Sequence, residues 1–339
     1  MIRAPAVRRA HPYARGCTAG LVLLTLACAL AAPRPAAAQA QADAWVPGKG
    51  HGTFTTAYGD MAVQYHLDYQ GNRFDAGRID SRILFLSLDY GITDRLALTT
   101  AIPYIQKRYR GSAGHNPDIL EGHDDDHEGE HHHLDKLDNG DYHGAWQDFG
   151  FKLRYNAIPG PVAVTPFVAA NMPSHDYLFF AHSAVGTHQK RLTLGVDFGY
   201  RFEPPLQNLY AQAGYGYSFV EENYDVNVDH SILNLELGYA FTPKLLVKLQ
   251  GNGQKTHGGL EFPIDFTRVV NGVTVPDRTS EKWFHHDQIL RVDYWNMGVV
   301  VNYIVADGWT LLGAYGKTLW GENGHEIQHA VTAGVSYTF

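Results

Sequence analysis

One segment of this sequence concentrates side chains that bind divalent metal ions. Between His115 and His143 it holds ten Asp or Glu residues and one Lys, a balance of −9, while the whole chain carries a net charge of −8. Neutral imidazoles are ligands for Zn²⁺, Cu²⁺ and Ni²⁺, and carboxylates add negative charge and oxygen atoms. No cofactor is required, but we expect weak Zn²⁺, Cu²⁺ or Ni²⁺ binding by His115, His123, Asp124, Asp126, His127, Glu128, Glu130, His131, His132, His133 and His143.

The same segment has a plainer interpretation. Its spacing is irregular, which argues against a rigid and selective metal site, and a solvated acidic loop could carry its histidines incidentally. By the strand assignment below, 17 of the 19 histidines fall on long connections or at the strand ends beside them. Long loops hold polar residues in any protein, but that bias does not explain why Lys is so rare between 115 and 143. Both interpretations, a metal-collecting mouth and an acidic loop without a ligand, stay open.

The sequence patterns that mark common catalytic sites do not stand out. There is no G-x-S-x-G elbow and no Ser, His and Asp set at fixed spacing, and neither a Rossmann nor a P-loop pattern occurs. We therefore predict no catalytic residues and no enzymatic activity. A barrel-type lipid-modifying hydrolase, with Ser and His on its outer face, remains an alternative.

Alternating apolar and polar residues dominate the rest of the chain. Between 148 and 155, for example, aromatic or apolar residues occupy the odd positions, and polar residues or glycine occupy the even ones. This period of two predicts β-strands with one apolar and one polar face, and it recurs in about 12 segments. Long and short connections alternate, as do the extracellular loops and periplasmic turns of outer-membrane barrels. We predict an all-β fold, a single transmembrane antiparallel β-barrel of about 12 strands with a His- and acid-rich extracellular loop at 110–143.

Two details of the strand assignment are less regular. The tenth strand, at about 288–304, shows two conflicting phases of apolar residues, which either a β-bulge near 295–298 or a misplaced boundary would reconcile. The connection at 320–325 is assigned to the long, extracellular set.

Charged residues on the polar face of the strands predict the lining of the barrel. A charge facing lipid at mid-depth costs roughly 2–4 kcal/mol, so charges opposite the apolar stripe must face the lumen. They form either a charged pore lining or a salt-bridged interior that fills the barrel. Because a twelve-stranded barrel is only modestly wider than a filled eight-stranded one, any pore should be narrow or partly plugged. The predicted lumen residues are Asp89, Asp148, Lys152, Arg154, Asp197, Arg201, Glu236 and Lys248.

The two ends of the chain predict export to the cell outer membrane. Residues 1–40 combine a basic start, an apolar run at 17–32 and small-residue cleavage sites, which is typical of a signal peptide that is removed. Both cysteines, Cys17 and Cys28, fall within it. The barrel would then cover 41–339, contact outer-membrane lipid, and be recognised by the barrel-assembly machinery through its C-terminal Phe339. The near-neutral wall indicates no nucleic-acid partner.

Two segments carry a family resemblance. They run from Ile83 to Gln106 and from Trp146 to Pro159. The elements that carry the resemblance are a strand ending in Asp-Tyr-Gly-Ile-Thr-Asp-Arg and a following strand with Pro103-Tyr104 in the first segment, and an Asp-Phe-Gly strand start in the second. These segments resemble the outer-membrane proteins named for the meta-pathway of phenol degradation, which are related to fatty-acid and aromatic-hydrocarbon channels. The resemblance implies a passive channel, often for small aromatic or apolar compounds. The His-rich insert departs from that family.

The expected function is therefore passive passage of a small solute across the outer membrane. In the first version of this hypothesis, the loop at 110–143 concentrates divalent metal ions at the mouth of the channel, or its charges gate that mouth electrostatically. In the second, the channel carries small aromatic or apolar molecules and the loop is ornamental.

Overall fold

The computed structural model describes residues 43–112 and 137–339, and twelve strands of these residues form one closed antiparallel barrel. We number them β1 to β12. The strands are β1 Gly52–Leu67, β2 Arg78–Gly91, β3 Leu96–Arg110, β4 in two segments, His143–Trp146 and Asp148–Tyr155, β5 Val162–Pro173, β6 Arg191–Arg201, β7 Leu209–Val220, β8 His230–Thr242, β9 Leu245–Thr256, β10 Asp293–Ala306, β11 Trp309–Glu322 and β12 Gly324–Thr338.

The first and last strands close the barrel. β1 pairs with β12 in an antiparallel register that runs from Thr53 opposite Thr338 to Leu67 opposite Gly324. Every other strand pairs with its neighbours in sequence. Closure leaves no unpaired edge in the wall, which a hydrocarbon environment would penalise. The predicted fold class is confirmed.

The two faces of the wall differ as the alternation predicts. On β4, Phe151 and Leu153 keep 39% and 44% of their surface exposed on the outside, whereas Lys152 and Arg154 on the inside keep 1% and 0%. The outer face therefore presents apolar side chains that water would not favour, and the inner face holds the charges. Such a wall suits a barrel that is surrounded by lipid.

Besides register shifts in the β1–β12 and β8–β9 pairs, the wall is irregular at β10. Both explanations for its conflicting phases hold: the register shifts between Trp295 and Asn296, and the strand begins at Asp293 because Glu281–Phe284 and His286–Ile289 form two short helices before it. The predicted long connection at 320–325 is wrong. β11 continues to Glu322, and a single residue, Asn323, turns the chain at a φ of 50°, a left-handed conformation that Asn tolerates.

Apart from the one-residue turn at Asn323, which lies at the far end, the described connections sort by length to the two ends of the barrel. The other short turns lie at the end that also holds the start of β1 and Phe339, and we call it the short-turn end. The opposite, long-loop end carries the connections at 68–77, 174–190, 221–229 and 257–292. The loops at 174–190 and 257–292 pack together: Gln288 Nε2 donates to the Thr187 carbonyl at 2.7 Å, and the Phe180 and Phe284 rings meet edge to face at 5.1 Å. Within the two described ranges, no helix has the length and apolar character needed to cross a membrane.

Candidate permeation path

A chamber occupies the barrel at the long-loop end. Its volume is about 500 Å³, and both strands and loops line it. Apolar side chains such as Met61, Val63, Ile79, Ile83 and Ile327 form much of its wall, and the loops add aromatic rings. The chamber is therefore large enough for a small organic molecule and offers it both apolar contacts and polar or charged ones, among the latter Lys107, Asp148 and Arg191.

Histidine rings form a second part of the chamber wall. The His66 and His325 rings lie 4.4 Å apart between centroids, and His182 lies 5.3 Å from His66. His182 also stacks on Tyr109 at 4.4 Å. These contacts are ring-to-ring, so the imidazoles act here as parts of an aromatic surface.

A tyrosine and a carboxylate meet where the chamber narrows toward the lumen. The Tyr177 hydroxyl, on the loop after β5, donates to Asp148, and it accepts a hydrogen bond from the His188 backbone N–H at 3.1 Å. Burial, and then the nearby Asp148 carboxylate, raise the pKa of Tyr177 above its ordinary value. Tyr177 therefore stays protonated and holds the loop at 174–190 onto the wall.

Below the chamber, two ion pairs inside the lumen link β4 to β6 and to β2. Lys152 Nζ lies 2.7 Å from Asp197 Oδ2, and both side chains are 1% exposed. Arg154 pairs with Asp89, which also accepts a hydrogen bond from Thr99 Oγ1 at 3.0 Å. Charges removed from water need such partners, because desolvation would otherwise cost several kcal/mol per ion.

Glu236 organises the other side of the lumen. Its carboxylate lies 3.1 Å from Lys248 Nζ and accepts hydrogen bonds from Tyr210 Oη at 2.7 Å, Gln212 Nε2 at 3.1 Å and Gln250 Nε2 at 2.6 Å. These donors come from β7 and β9, the two strands that flank β8. Both signs of charge are therefore fixed in place inside the barrel.

The segment before β1 lies across the lumen at the short-turn end. Ala44 is fully buried; its N–H donates to Gln212 Oε1 at 2.7 Å, and its carbonyl accepts from Asn156 Nδ2 at 3.0 Å and from Thr165 Oγ1 at 2.6 Å. Asp43 approaches the lumenal cations, with its carboxylate 3.9 Å from Lys152 Nζ. Residues 43–47, which we call the N-terminal segment, are thus bonded to side chains of β5, of β7 and of the turn after β4.

Trp45 anchors this segment at the rim. Its indole N–H donates to the Gly160 carbonyl at 2.9 Å, its ring meets Tyr210 at 5.9 Å, and the Arg201 guanidinium lies 4.5 Å above it. The segment is thereby tied to a turn and to two strands.

The structure brings together most of the residues expected in the lumen. Lys152, Arg154, Asp197, Asp89, Glu236 and Lys248 form the two charged groups described above. Asp148 stands nearer the chamber, bonded to Tyr177. Arg201 shares the inner face but lies exposed at the short-turn rim, against Trp45.

The expected metal ligands fall almost entirely outside the described residues. His115, His123, Asp124, Asp126, His127, Glu128, Glu130, His131, His132 and His133 belong to 113–136, as the predicted signal peptide belongs to 1–42. His143 is described: its Nε2 lies 3.0 Å from Asn139 Oδ1. Among residues 43–112 and 137–339, no three His, Cys, Asp or Glu side chains are placed to hold a metal ion.

One end of that loop is nevertheless fixed. Asp138 accepts hydrogen bonds from the Ser183 N–H at 2.9 Å and the Ser183 hydroxyl at 2.8 Å, and it lies 3.2 Å from His182 Nδ1. Asp138 therefore holds the chain that leads into β4 against the loop at 174–190, next to histidines that line the chamber.

Two features went unrecognised in the sequence. The N-terminal segment lacks the alternation that marks the strands, so only its distant lumenal partners reveal it. On the outer wall, Ser231 Oγ lies 2.8 Å from His257 Nε2. These residues are 26 positions apart and match no catalytic spacing pattern, so only the β8–β9 pairing brings them together.

Comparison with solved structures identifies the fold. The crystal structure of an outer-membrane channel from Pseudomonas putida F1 aligns with a TM-score of 0.62 at 14% identity, covering 88% of this chain and 98% of that one. The NanC porin (TM-score 0.46, 9% identity, 84% and 98% coverage) and the translocator domain of the autotransporter NalP from Neisseria meningitidis (0.45, 11%, 86% and 90%) align less well. No family model matches the sequence, and no curated protein matches it. The chain thus has the fold of an outer-membrane β-barrel channel.

Proposed function

We propose that this chain is an outer-membrane channel for passive passage of a small solute, with the chamber at the long-loop end as its entry. The chamber of about 500 Å³ inside a closed barrel is the observation that carries the proposal. Its volume lies within the range of about 300–1,000 Å³ typical of small-molecule sites. The fold shared with a channel of known structure supports the same reading.

The lining of the chamber favours a small aromatic or apolar solute. Aliphatic residues of the wall and the Phe180 and Phe284 rings of the loops supply apolar contacts. Two charged side chains that also line the chamber are already bonded within the protein: Asp148 accepts from Tyr177, and Lys107 Nζ donates to the Ala184 carbonyl at 2.6 Å. The sequence resemblance to the phenol-degradation outer-membrane proteins implies the same class of solute. Because such molecules are poorly solvated by water, an apolar entry site lowers the free energy of capture.

Solute flux into proteoliposomes tests this preference. We expect the wild-type chain to pass a small uncharged aromatic alcohol faster than a sugar of equal size. Replacing both rings (Phe180→Ala with Phe284→Ala) should lower that preference about fivefold, because an aromatic contact contributes about 0.5–1.5 kcal/mol. Phe151→Ala on the outer wall is the matched control and should leave the ratio unchanged. Equal fluxes for both solutes would rule out the apolar preference.

Metal ions are the second candidate, and they rest on the composition of 113–143. The proposal is that the His- and acid-rich loop concentrates Zn²⁺, Cu²⁺ or Ni²⁺ beside the chamber. Calorimetric titration should show binding to the full chain and little to a variant in which 113–136 is replaced by Gly and Ser residues. That variant keeps Asp138 and its bonds to Ser183. Unchanged metal binding and unchanged metal flux in the variant would reject this role.

Lipid hydrolysis is the remaining alternative, and the Ser231–His257 contact favours it. A serine hydroxyl beside an imidazole is the pair from which nucleophilic catalysis is built. We nevertheless expect no phospholipid hydrolysis by the purified barrel. Hydrolysis that survives purification and disappears in Ser231→Ala, but not in Ser218→Ala on the inner face, would contradict this expectation.

A further inference from the structure

Four arginines crowd one place on the outer wall near the long-loop end. Arg78 and Arg82 lie on β2, and Arg108 and Arg110 lie on β3; we call them the arginine patch. Directly paired residues share a face of the sheet, and the register sets Arg78 opposite Arg110 and Arg82 opposite Gln106. One step further along the same face, Leu84 is 37% exposed opposite Tyr104. The patch therefore points away from the lumen.

The height of the patch matches the upper boundary of an apolar membrane band. Arg82 stands eight residues above Tyr90, which lies at the short-turn end of β2. At about 3.3 Å per residue and a strand tilt of about 40°, this separation is roughly 20 Å along the membrane normal, close to the apolar band of about 25 Å. Just below the patch, Tyr104 and Trp146 meet at 5.3 Å on the outer face, as aromatic residues do at membrane boundaries.

Positive charge exceeds negative charge in the patch. Asp80 receives three of the arginines, with Oδ1 2.7 Å from Arg78 Nε and Oδ2 3.1 Å from Arg108 Nε and 2.6 Å from Arg110 Nη2. Asp60, opposite Arg82 on β1, is the second carboxylate on this face. Four guanidinium groups thus stand against two carboxylates, in a chain whose net charge is −8.

The arginines are held in place yet remain accessible. The Tyr142 ring lies between two of them, 4.1 Å from the Arg82 guanidinium carbon and 4.5 Å from that of Arg108. The side chains of Arg78, Arg108 and Arg110 keep 35%, 29% and 51% of their surface exposed. Shared contacts to Asp80 and Tyr142 reduce the entropy that a ligand must remove, and the guanidinium groups retain N–H donors that face outward.

We propose that the arginine patch binds the phosphate of an anionic outer-leaflet lipid, of the class whose sugar headgroup carries phosphate groups. Guanidinium groups bind phosphate oxygens through paired, charge-assisted hydrogen bonds. A membrane boundary is where phosphates of such lipids lie, and basic clusters at that depth are attracted to them. The acyl chains would then lie along Leu84 and the aromatic pair below. This inference rests on the proposed outer-membrane location of the barrel.

The acidic segment at 113–136 is the competing occupant, since β3 leads toward it directly after Arg110. The lipid is favoured because the patch lies on the outer wall, continuous with the aromatic and apolar surface beneath it. A tether within the chain would require neither that depth nor that surface.

Binding of diphosphoryl lipid A to the full chain tests the proposal. The chain is reconstituted in phosphatidylcholine vesicles that contain fluorescent diphosphoryl lipid A or the same lipid with its phosphates removed. We expect binding to require the phosphates and to weaken about 30-fold in the double variant Arg82→Gln with Arg108→Gln, and about fivefold in Arg110→Gln. The control, Arg95→Gln with Lys244→Gln, neutralises exposed cations on the short turns and should bind as wild type does.

Three results would overturn the patch as a lipid site. They are equal binding of the lipid with and without phosphates, complete competition by inorganic phosphate at the lipid's own concentration, and binding that appears only after 113–136 is removed. Heat-modifiable migration on gels reports whether each variant is folded; if the double variant is not, Arg110→Gln at the strand end decides the matter. A barrel that inserts into vesicles but ignores the lipid phosphates refutes the patch alone, whereas one that fails to insert refutes the membrane location.

Discussion

At the scale of residues, the interior of this barrel contains charged side chains that contact one another in place of water. Lys152 and Asp197 are both 1% exposed, and Glu236 collects four donors from its neighbours. Such pairs are costly to bury and still more costly to break, because the remaining partner is left buried without compensation. They fix the positions of side chains in the lumen more than they stabilise the fold.

Removing one member of the buried pair should therefore destabilise the barrel strongly. We expect Asp197→Ala to lower the free energy of unfolding by about 3 kcal/mol, because it removes the carboxylate 2.7 Å from the buried Lys152 ammonium and leaves the more distant Asp43 carboxylate at 3.9 Å. The double variant Lys152→Met with Asp197→Leu should recover much of that loss. Urea-induced unfolding in lipid vesicles measures both.

A surface ion pair supplies the control for this comparison. Lys190 and Glu221 lie 3.1 Å apart with side chains 71% and 40% exposed, so Glu221→Ala should cost less than about 1 kcal/mol. If Asp197→Ala were no more harmful than Glu221→Ala, the lumenal pair would not be buried as described.

At the scale of elements, the strands could be predicted from the sequence, but the bulge, the tight turn and the N-terminal segment could not. Each strand has an outward and an inward face, and its residues alternate between them. On β4, Phe151 and Leu153 face outward, and Lys152 and Arg154 face inward. β10 and Asn323 escaped because a bulge and a one-residue turn leave little trace in such a pattern. The N-terminal segment escaped for another reason: Ala44 is held by Asn156, Thr165 and Gln212, more than 100 residues away in each case. Which lumenal charges pair is likewise set by register, not by composition.

The loops over the chamber are joined by one buried glutamine. Gln288, 5% exposed, donates to the Thr187 carbonyl, and its own carbonyl accepts from Gln189 Nε2 at 3.1 Å. We expect Gln288→Leu to leave the Thr187 carbonyl without its donor and to weaken docking of the loop at 174–190 by about 1–2 kcal/mol.

Hydrogen exchange of the backbone amides in 174–190 measures this effect. Exchange there should accelerate about fivefold or more while the strands are unaffected. Thr274→Leu, on the exposed hairpin Thr267–Val270 and Val273–Pro276, serves as the control in the same connection. Unchanged exchange in Gln288→Leu would mean that ring packing alone holds the two loops together.

At the scale of the whole molecule, the two ends of the barrel differ in kind. The long-loop end holds a chamber that apolar and polar side chains line and that loops cover, and the short-turn end is crossed by the N-terminal segment. The charges in between are paired. We therefore propose that a solute entering the chamber passes the lumen only when residues 43–47 leave their hydrogen bonds to the wall.

Conductance across a planar bilayer tests this account most directly. The chain from residue 41 onward, without the predicted signal peptide, is compared with a variant of it that lacks residues 43–47. Heat-modifiable migration checks that each forms a folded barrel. We expect small conductance from the full chain and a several-fold larger conductance from the variant, because the deletion removes the backbone that Gln212, Asn156 and Thr165 hold inside the lumen. A folded variant that conducts no better than the full chain would contradict the lumen as the path.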